Sequence, residues 1–457
     1  MDPRRDLERP IFREVFLPLY RQLIQNACVN TGDADSGHED RSIEVLRGFF
    51  EARGLPCQVF HARPGRGNLL VRVKGTDPSA KSLMFMGHLD VVPASAADWS
   101  VDPFAAEVKE NQVWGRGAID MLCWTAAQAV GFAEAVLAAG PKGFAGDLAF
   151  LALADEEASG RWGAQHLVAH HWESVKADFM VTELGGFFVP TVRGPVAFCN
   201  LGEKGVAWVK LSARGTPGHG STPYRSDNAV LKVSEAALRL ARWKFPFRGS
   251  RVYRSMARTA ARTWLERCAL NLKPGQRWGL SRVFARNQGL ARFLHTASRT
   301  TASPNVVRSG QKVNIVADRA ELLVDVRCVP GTTKQALLSE LRRALGRRLC
   351  SEVVLEITDW FPANQSDART PLKVAIESLF LEAHPDSQLA DMVIGGVTDG
   401  RFWREKGTTV YGFSLFSQQL TMDAFAARIH GIDERLDLES LSLGLAFFSE
   451  LPLRFWR

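Results

Sequence analysis

Some of the chain's histidines and carboxylates stand at spacings suited to holding metal ions. The apolar segment Met84-Phe85-Met86-Gly87 delivers His88 and, two residues on, Asp90 into a turn that ends at Pro93. A buried strand presents a metal ligand in this way, with a carboxylate beside it to orient the ring. Downstream stand Gly115-Arg116-Gly117-Ala118-Ile119-Asp120, the triplet Asp155-Glu156-Glu157, Glu183, and a late His430-Gly431-Ile432-Asp433-Glu434. A zinc pair needs imidazole and carboxylate ligands and one carboxylate able to bridge. Two such ions roughly 3.5–4 Å apart bind a hydroxide and stabilise both ends of an acyl displacement. The set points to a two-metal hydrolase.

The elements that must position these residues alternate between strand and helix. Asn68–Val73, Ser82–Met86, Leu148–Leu153 and Phe179–Thr182 read as strands. Ala-rich Thr125–Ala139 reads as a helix ended by Gly140-Pro141, and apolar spacing makes much of 11–54 helical. This alternation predicts an α/β domain with a mostly parallel sheet. The candidate ligands fall just after strands, and open α/β sheets place their sites at the carboxyl ends of strands. The pattern then changes. Val206–Ser212, Lys312–Val316, Glu321–Arg327 and Val353–Ile357 read as strands, with helices over 228–243 and 333–345. Strand–helix–strand–strand–helix–strand predicts an inserted α+β, ferredoxin-like domain. The expected division is 1–198 and 361–457 for the α/β domain and 199–360 for the insertion, with a basic helical stretch at 243–300.

Composition excludes several other classes. The chain has 457 residues, an ordinary 46% apolar fraction, and a charged amino terminus with no apolar stretch behind it. No secretory signal and no uninterrupted apolar run of bilayer length are read from it, so the expected location is cytoplasmic. Seven widely spaced cysteines without a C-x-x-C pair predict reduced thiols. The net charge of +8 is unevenly placed: residues 243–299 hold thirteen Lys/Arg and one acid, Glu266. The remainder is net acidic, so no general nucleic-acid binding is expected.

The ordered motifs resemble one family. They are Gly87-His-Leu-Asp-Val-Val-Pro93, Trp99 with Asp102-Pro-Phe104, Gly115-Arg-Gly-Ala-Ile-Asp-Met121, Asp155-Glu-Glu157, Gly218-His-Gly-Ser221, Thr398-Asp-Gly-Arg401 and His430-Gly-Ile-Asp-Glu434. In this order, over almost the full length, they are similar to the di-zinc metallopeptidases and amidohydrolases that include aminoacylase, carboxypeptidase G, acetylornithine deacetylase and succinyl-diaminopimelate desuccinylase. The resemblance implies two zinc ions, replaceable by cobalt or manganese. Asp120 would bridge them, His88 and Glu183 would complete one ion, and Glu157 and His430 the other. Glu156 would be the general base, with adjacent residues at a strand end pointing apart. Asp90 would accept the second imidazole N–H of His88. His219 would face the developing oxyanion from the smaller lid and dimerisation domain, often that of the other subunit of a homodimer. Lys204, Asn314, Arg327 and Arg401 match polar positions of the family's substrate pocket, and Arg327 or Arg401 suits a substrate carboxylate.

Two positions depart from the family's pattern. Leu122-Cys123 stands where Lys-Gly is usual, and Ala317 stands where Pro is usual after Asn314-Ile-Val. Neither removes a ligand or the base. The expected activity is hydrolysis of an amide beside a free carboxylate, in N-acyl amino acids, by a metal-bridged hydroxide. A dipeptidase or carboxypeptidase, and a catalytically inactive binding protein of the same fold, are the alternatives. Residues 243–299 interleave Arg with Trp243, Phe245, Phe247, Trp264, Leu265, Trp278, Phe284 and Phe293. One reading is solvated helices with inward aromatics; the other is contact with an acyl chain or a membrane surface.

Overall fold

The computed structural model describes residues 7–191, 194–272 and 274–457. The chain forms two units. One runs up to Gly202 and resumes as Ser366–Met392 and Thr398–Arg457; the other is Glu203–Gln365 with Val393–Val397.

In chain order the first unit contributes strands β1 (Cys57–His61), β2 (Gly67–Val73) and β3 (Leu83–His88), helix α1 (Leu122–Ala139), and strands β4 (Leu148–Leu153), β5 (Phe179–Thr182) and β6 (Gly194–Glu203). The second unit supplies β7 (Gly205–Arg214), α2 (Ala229–Arg242), then α3 (Arg251–Ala260), α4 (Trp264–Asn271), α5 (Gln276–Phe284) and α6 (Gln288–Ala297). It closes with β8 (Thr301–Ser309), β9 (Arg319–Cys328), α7 (Lys334–Glu352) and β10 (Val353–Phe361). The first unit resumes with α8 (Pro371–Ala383), β11 (Gln388–Ile394), α9 (Gly400–Glu405), β12 (Thr409–Gly412) and α10 (Leu438–Phe455).

The sheet of the first unit runs β1–β2–β4–β3–β5–β12–β6. Its central strands β4, β3, β5 and β12 are parallel, and antiparallel pairs flank them. Parallel strands need cover on both faces. Accordingly β3 and β4 are buried at every position. Met84 and Met86 pack with Leu70, Leu151, Leu167 and Trp403 on one side. Phe85 meets Phe448 of α10 on the other, with ring centroids 5.1 Å apart. Helices α1 and α10 approach closely because glycine faces aromatic: a Cβ on Gly444 would run into the Trp124 ring, and one on Gly131 into Phe448. Helix α1 departs from the expectation that no segment could cross a bilayer. It is long and apolar enough by length and composition, and 72% of that window is buried inside the fold. Its Ala-rich sequence is apolar all round because it is a core helix.

The second unit has the expected order of elements. Its four-stranded antiparallel sheet has the order β8–β9–β7–β10. Alternating residues Val209, Leu211, Leu322, Val324 and Val326 form a core with Val233, Leu240, Leu341 and Leu345 of α2 and α7. One strand expectation fails. Lys312–Val316 lies outside any strand, and β8 at Thr301–Ser309 pairs with β9 instead. Val313 and Ile315 alternate in sequence yet are exposed, so the period there reflects no buried face. All seven cysteines are free thiols.

Candidate metal centre

Parallel pairing gathers the ligand positions. His88 closes β3 in register with Leu153 of β4, and Phe179 of β5 is in register with Leu83. The residues after these strands, including Asp155–Glu157 and Glu183, therefore emerge along one edge. Two further segments are brought in by a short ribbon, Arg435–Asp437 against Gln112–Trp114. That pairing sets His430 and Glu434 beside the turn that carries Asp120.

Two donor sets share one residue: His88, Asp120 and Glu183, and Asp120, Glu157 and His430, each with ligand atoms within 4.8 Å of one another. Asp120 divides its oxygens between them. Oδ1 lies 3.2 Å from His88 Nε2, and Oδ2 lies 3.1 Å from His430 Nε2. His88 Nε2 is also 3.7 Å from Glu183 Oε2, and His430 Nε2 is 3.1 Å from Glu157 Oε2. The expected metal ligands are thus brought together as two groups of three around Asp120. Cys123 is buried and belongs to neither donor set, and burial pushes its thiol well above its usual value.

The support beneath these ligands differs from the sequence expectation for Asp90. His88 Nδ1 donates to the backbone carbonyl of Asp90 at 2.9 Å, while the nearest carboxylate oxygen is 3.7 Å away. A carbonyl only accepts, so Nδ1 carries the proton and Nε2 is left to face a metal. The Asp90 carboxylate instead accepts the backbone N–H groups of Glu156 and Glu157, both at 3.1 Å, and Asn30 Nδ2 at 2.8 Å. It fixes the turn that carries Glu156 and Glu157. The alternation expected for Glu156 and Glu157 is also replaced. Asp155 takes a left-handed conformation (φ 72°) and the next residues form a 3-10 turn, Glu156–Ala158. Asp and Asn enter that region more readily than other side chains. Here Asp155 Oδ1 accepts from Arg66 Nη2 at 2.9 Å and Asn30 Nδ2 at 3.0 Å, and its Oδ2 from Trp162 N at 3.0 Å. Arg66 is in turn held bidentately by Glu39, at 2.7 and 2.8 Å.

A second brace was not assigned from the sequence, although both its residues lie inside quoted motifs. Glu434 is fully buried and accepts from Arg116 Nη1 at 2.6 Å and from the amides of Ile119 and Asp120 at 2.8 and 3.1 Å. Arg116 Nη2 also points at the carbonyls of Pro93 and His430, each at 3.4 Å. One ion pair thereby ties together the loops carrying His88, Asp120 and His430. Asp399 is another unassigned group. It is 2% exposed, and neither of its oxygens finds a hydrogen-bond partner among the described residues.

The remaining candidates lie as follows. Arg401 is buried in the first unit and donates to the Ser159 carbonyl at 2.7 Å and the Thr398 carbonyl at 3.2 Å. In the second unit, Lys204 is buried, and its Nζ donates to the carbonyls of Thr296 and Arg299 at 3.0 and 2.9 Å. Burial lowers its pKa to about 7. Arg327 Nε donates to Asp325 Oδ1 at 2.9 Å. His219 and Asn314 sit on adjoining exposed loops joined by an isolated bridge between His219 and Ile315. His219 Nδ1 is 2.7 Å from Ser221 Oγ.

The charges of the site fit bound cations. Burial, and then the charge of Glu183, raise Glu156 well above the carboxylate range. Burial and the Asp120 charge push Glu183 up to about 8. His88 is lowered by burial, but hydrogen bonds to Asp120 and Glu183 outweigh this and raise it. Hydrogen bonds to Asp120 and Glu157 raise His430 to about 10. Glu156, Glu157, Glu183 and both imidazoles are thus driven to take up protons, while Asp120, which burial alone would raise, is held well below the carboxylate range by the hydrogen bonds it accepts from His430 and His88. So crowded a set of carboxylates marks a site short of positive charge. Divalent cations would supply that charge.

Residues 84–454 match the model of peptidase family M20/M25/M40. The chain belongs to that family. It is 26% identical over 397 residues to the human N-fatty-acyl-amino acid synthase/hydrolase PM20D1, covering 84% of this chain and 76% of that protein. Among solved structures, the M20 metallo-carboxypeptidase Sso-CP2 of Sulfolobus solfataricus is similar in fold, with a TM-score of 0.69 and 14% identity over 96% of this chain and 99% of that one. So is the Bacillus subtilis YXEP protein, described as a dinuclear metal-binding M20 peptidase, with a TM-score of 0.58 and 14% identity over 97% and 98% of the two chains. The M20-family assignment and the intact constellation make this chain a hydrolase.

Proposed function

We propose that this M20 hydrolase cleaves the amide bond of N-acyl amino acids, with long acyl chains among its substrates, using two divalent cations. The observation that carries the reading is Asp120, whose two oxygens face His88 and His430 separately. The similarity to a fatty-acyl-amino acid hydrolase over most of both chains supports the acyl substrate. His88 and Glu183 on one side of Asp120, and Glu157 and His430 on the other, would hold the metals. Mixed imidazole and carboxylate donors suit zinc, and cobalt or manganese are accommodated by the same set. Bound there, the cations supply Lewis acidity to the amide carbonyl and acidify water.

The chain's own residues do the rest. The carboxylate of Glu156 takes a proton from the attacking water and delivers it to the leaving nitrogen as the C–N bond breaks, giving a carboxylate and an amine. Asp90 holds the Glu156 and Glu157 amides, so base and ligand keep a fixed relation. The Asp90 carbonyl keeps the proton of His88 on Nδ1. The test is a hydrolysis screen of N-acetyl, N-succinyl and N-oleoyl amino acids and dipeptides, with metal removed by chelation and restored. Long-chain turnover that requires metal supports the reading. Preferential dipeptide cleavage would replace it with a dipeptidase.

A further inference from the structure

Helices α3–α6 form a bundle that supplies none of the metal-ligand candidates. Its interior is complete. Val252, Tyr253, Met256, Leu270, Val283, Leu290 and Leu294 are buried. Tyr253 Oη donates to the Leu270 carbonyl at 2.7 Å, and Gln276 Nε2 donates to Tyr253 Oη at 3.1 Å. Ser250, Thr263 and Asn287 cap three of the helices. The acid of this stretch, Glu266, is turned inward and held by Arg286 at 2.6 Å.

The outward side is unlike an ordinary solvated surface. Trp264, Leu265, Leu272, Trp278 and Phe284 are 68, 54, 57, 51 and 44% exposed. On α4, successive residues turn by about 100°, so Trp264, Leu265 and Cys268 share one arc while buried Glu266 and Leu270 occupy the opposite one. On α5 the same turn sets Trp278 opposite buried Gln276, Gly279 and Val283. These large apolar residues point away from the bundle's core, so its folding does not require them. Among the described residues of 251–284 the exposed charged side chains are all arginines: Arg251, Arg254, Arg258, Arg262, Arg267, Arg277 and Arg282. Residues 251–299 contain no acid other than Glu266.

We propose that the α4–α5 face, with its flanking arginines, docks this protein onto an anionic phospholipid surface. Tryptophan and leucine side chains enter the headgroup–acyl boundary, and arginines meet the lipid phosphates. A second copy of the chain is disfavoured as the occupant, because two such faces would repel each other. A nucleic acid would satisfy the arginines but give Leu265 and Leu272 no apolar environment. The proposal does not rest on the substrate reading.

The experiment is co-sedimentation of the full chain with vesicles of phosphatidylglycerol and phosphatidylcholine, and with phosphatidylcholine alone. Binding is expected only to the anionic vesicles, with a blue shift of tryptophan emission. It should weaken about tenfold or more in Trp264→Ser/Trp278→Ser and in Arg258→Glu/Arg267→Glu. These positions are exposed, so melting curves should match the parent, and hydrolysis of a soluble N-acetyl amino acid separately reports the catalytic reading. Absent vesicle binding, equal binding to neutral vesicles, or indifference to both variants would overturn the proposal. So would binding to single-stranded RNA in place of vesicles.

Discussion

Replacing Glu434 by Gln removes one charge from the brace that joins the ligand loops. The carboxylate is 0% exposed and accepts three hydrogen bonds, from Arg116 Nη1 at 2.6 Å and from the amides of Ile119 and Asp120 at 2.8 and 3.1 Å. Gln offers a single acceptor oxygen. Turned to the amides, it sets its NH₂ against Arg116, which is only 4% exposed. Turned to Arg116, it leaves both amides facing an NH₂. Removing one partner of a buried ion pair costs about 3–5 kcal/mol, a large share of the roughly 5–15 kcal/mol that holds a domain. The variant should fold with its unfolding free energy lowered by that amount, read as a lower urea midpoint at an unchanged slope. Because the same amides fix Asp120, zinc titration of the metal-free variant should show affinity at least about tenfold weaker, equivalent to about 1.4 kcal/mol. Adding Arg116→Met should recover about 1–3 kcal/mol of stability in a double-mutant cycle without restoring metal affinity. A loss below about 1 kcal/mol, with zinc binding intact, would refute the brace.

Three further outcomes follow from the same geometry. Asp399 has a pKa raised from 3.8 to about 7, by burial first. The folded chain then binds this proton more tightly than the unfolded one, so stability of the metal-free protein should fall as pH rises from 3.8 to about 7. Asp399→Asn should remove up to about 4 kcal/mol of that fall; an unchanged pH profile in urea melts contradicts it. Gly87→Ala places a methyl against Thr125 Oγ1, the hydroxyl that donates to the His88 carbonyl at 2.8 Å. It should cost about 1–3 kcal/mol and lower metal content measured by emission spectroscopy; a normal melt and full metal content count against it. Zinc at about 100 times its Kd should stabilise the chelated protein by roughly 2.7 kcal/mol; an unmoved urea midpoint would deny a metal site.

What the sequence made legible was what is local. The apolar run before His88 fixed a buried strand, and repeated strand ends placed Asp155–Glu157 and Glu183 along one edge. The strand–helix order of the second unit was readable because β7 and β9 alternate between a helix-covered face and a wetter one. What stayed hidden was long-range. Arg66 meets Glu39 and Asp155 from 27 and 89 residues away, and isolated charges carry no sign of such pairing. Asp90 stood at the right spacing, but side-chain alternation could not show that its carbonyl would take the imidazole proton and its carboxylate the neighbouring amides. The apparent strand at Lys312–Val316 failed because alternation without burial has no partner to select it.

The most direct measurement compares hydrolysis of an N-oleoyl amino acid by the parent chain and by Glu156→Gln, each assayed beside its measured metal content. The metal-free parent should be inactive and regain activity when metal is restored. Glu156→Gln should retain two metals per chain and lose roughly 10²–10⁴ in kcat, with little change in KM. Full turnover by the metal-loaded variant, or by the metal-free parent, would contradict the assignment of Glu156 as base at a two-metal centre.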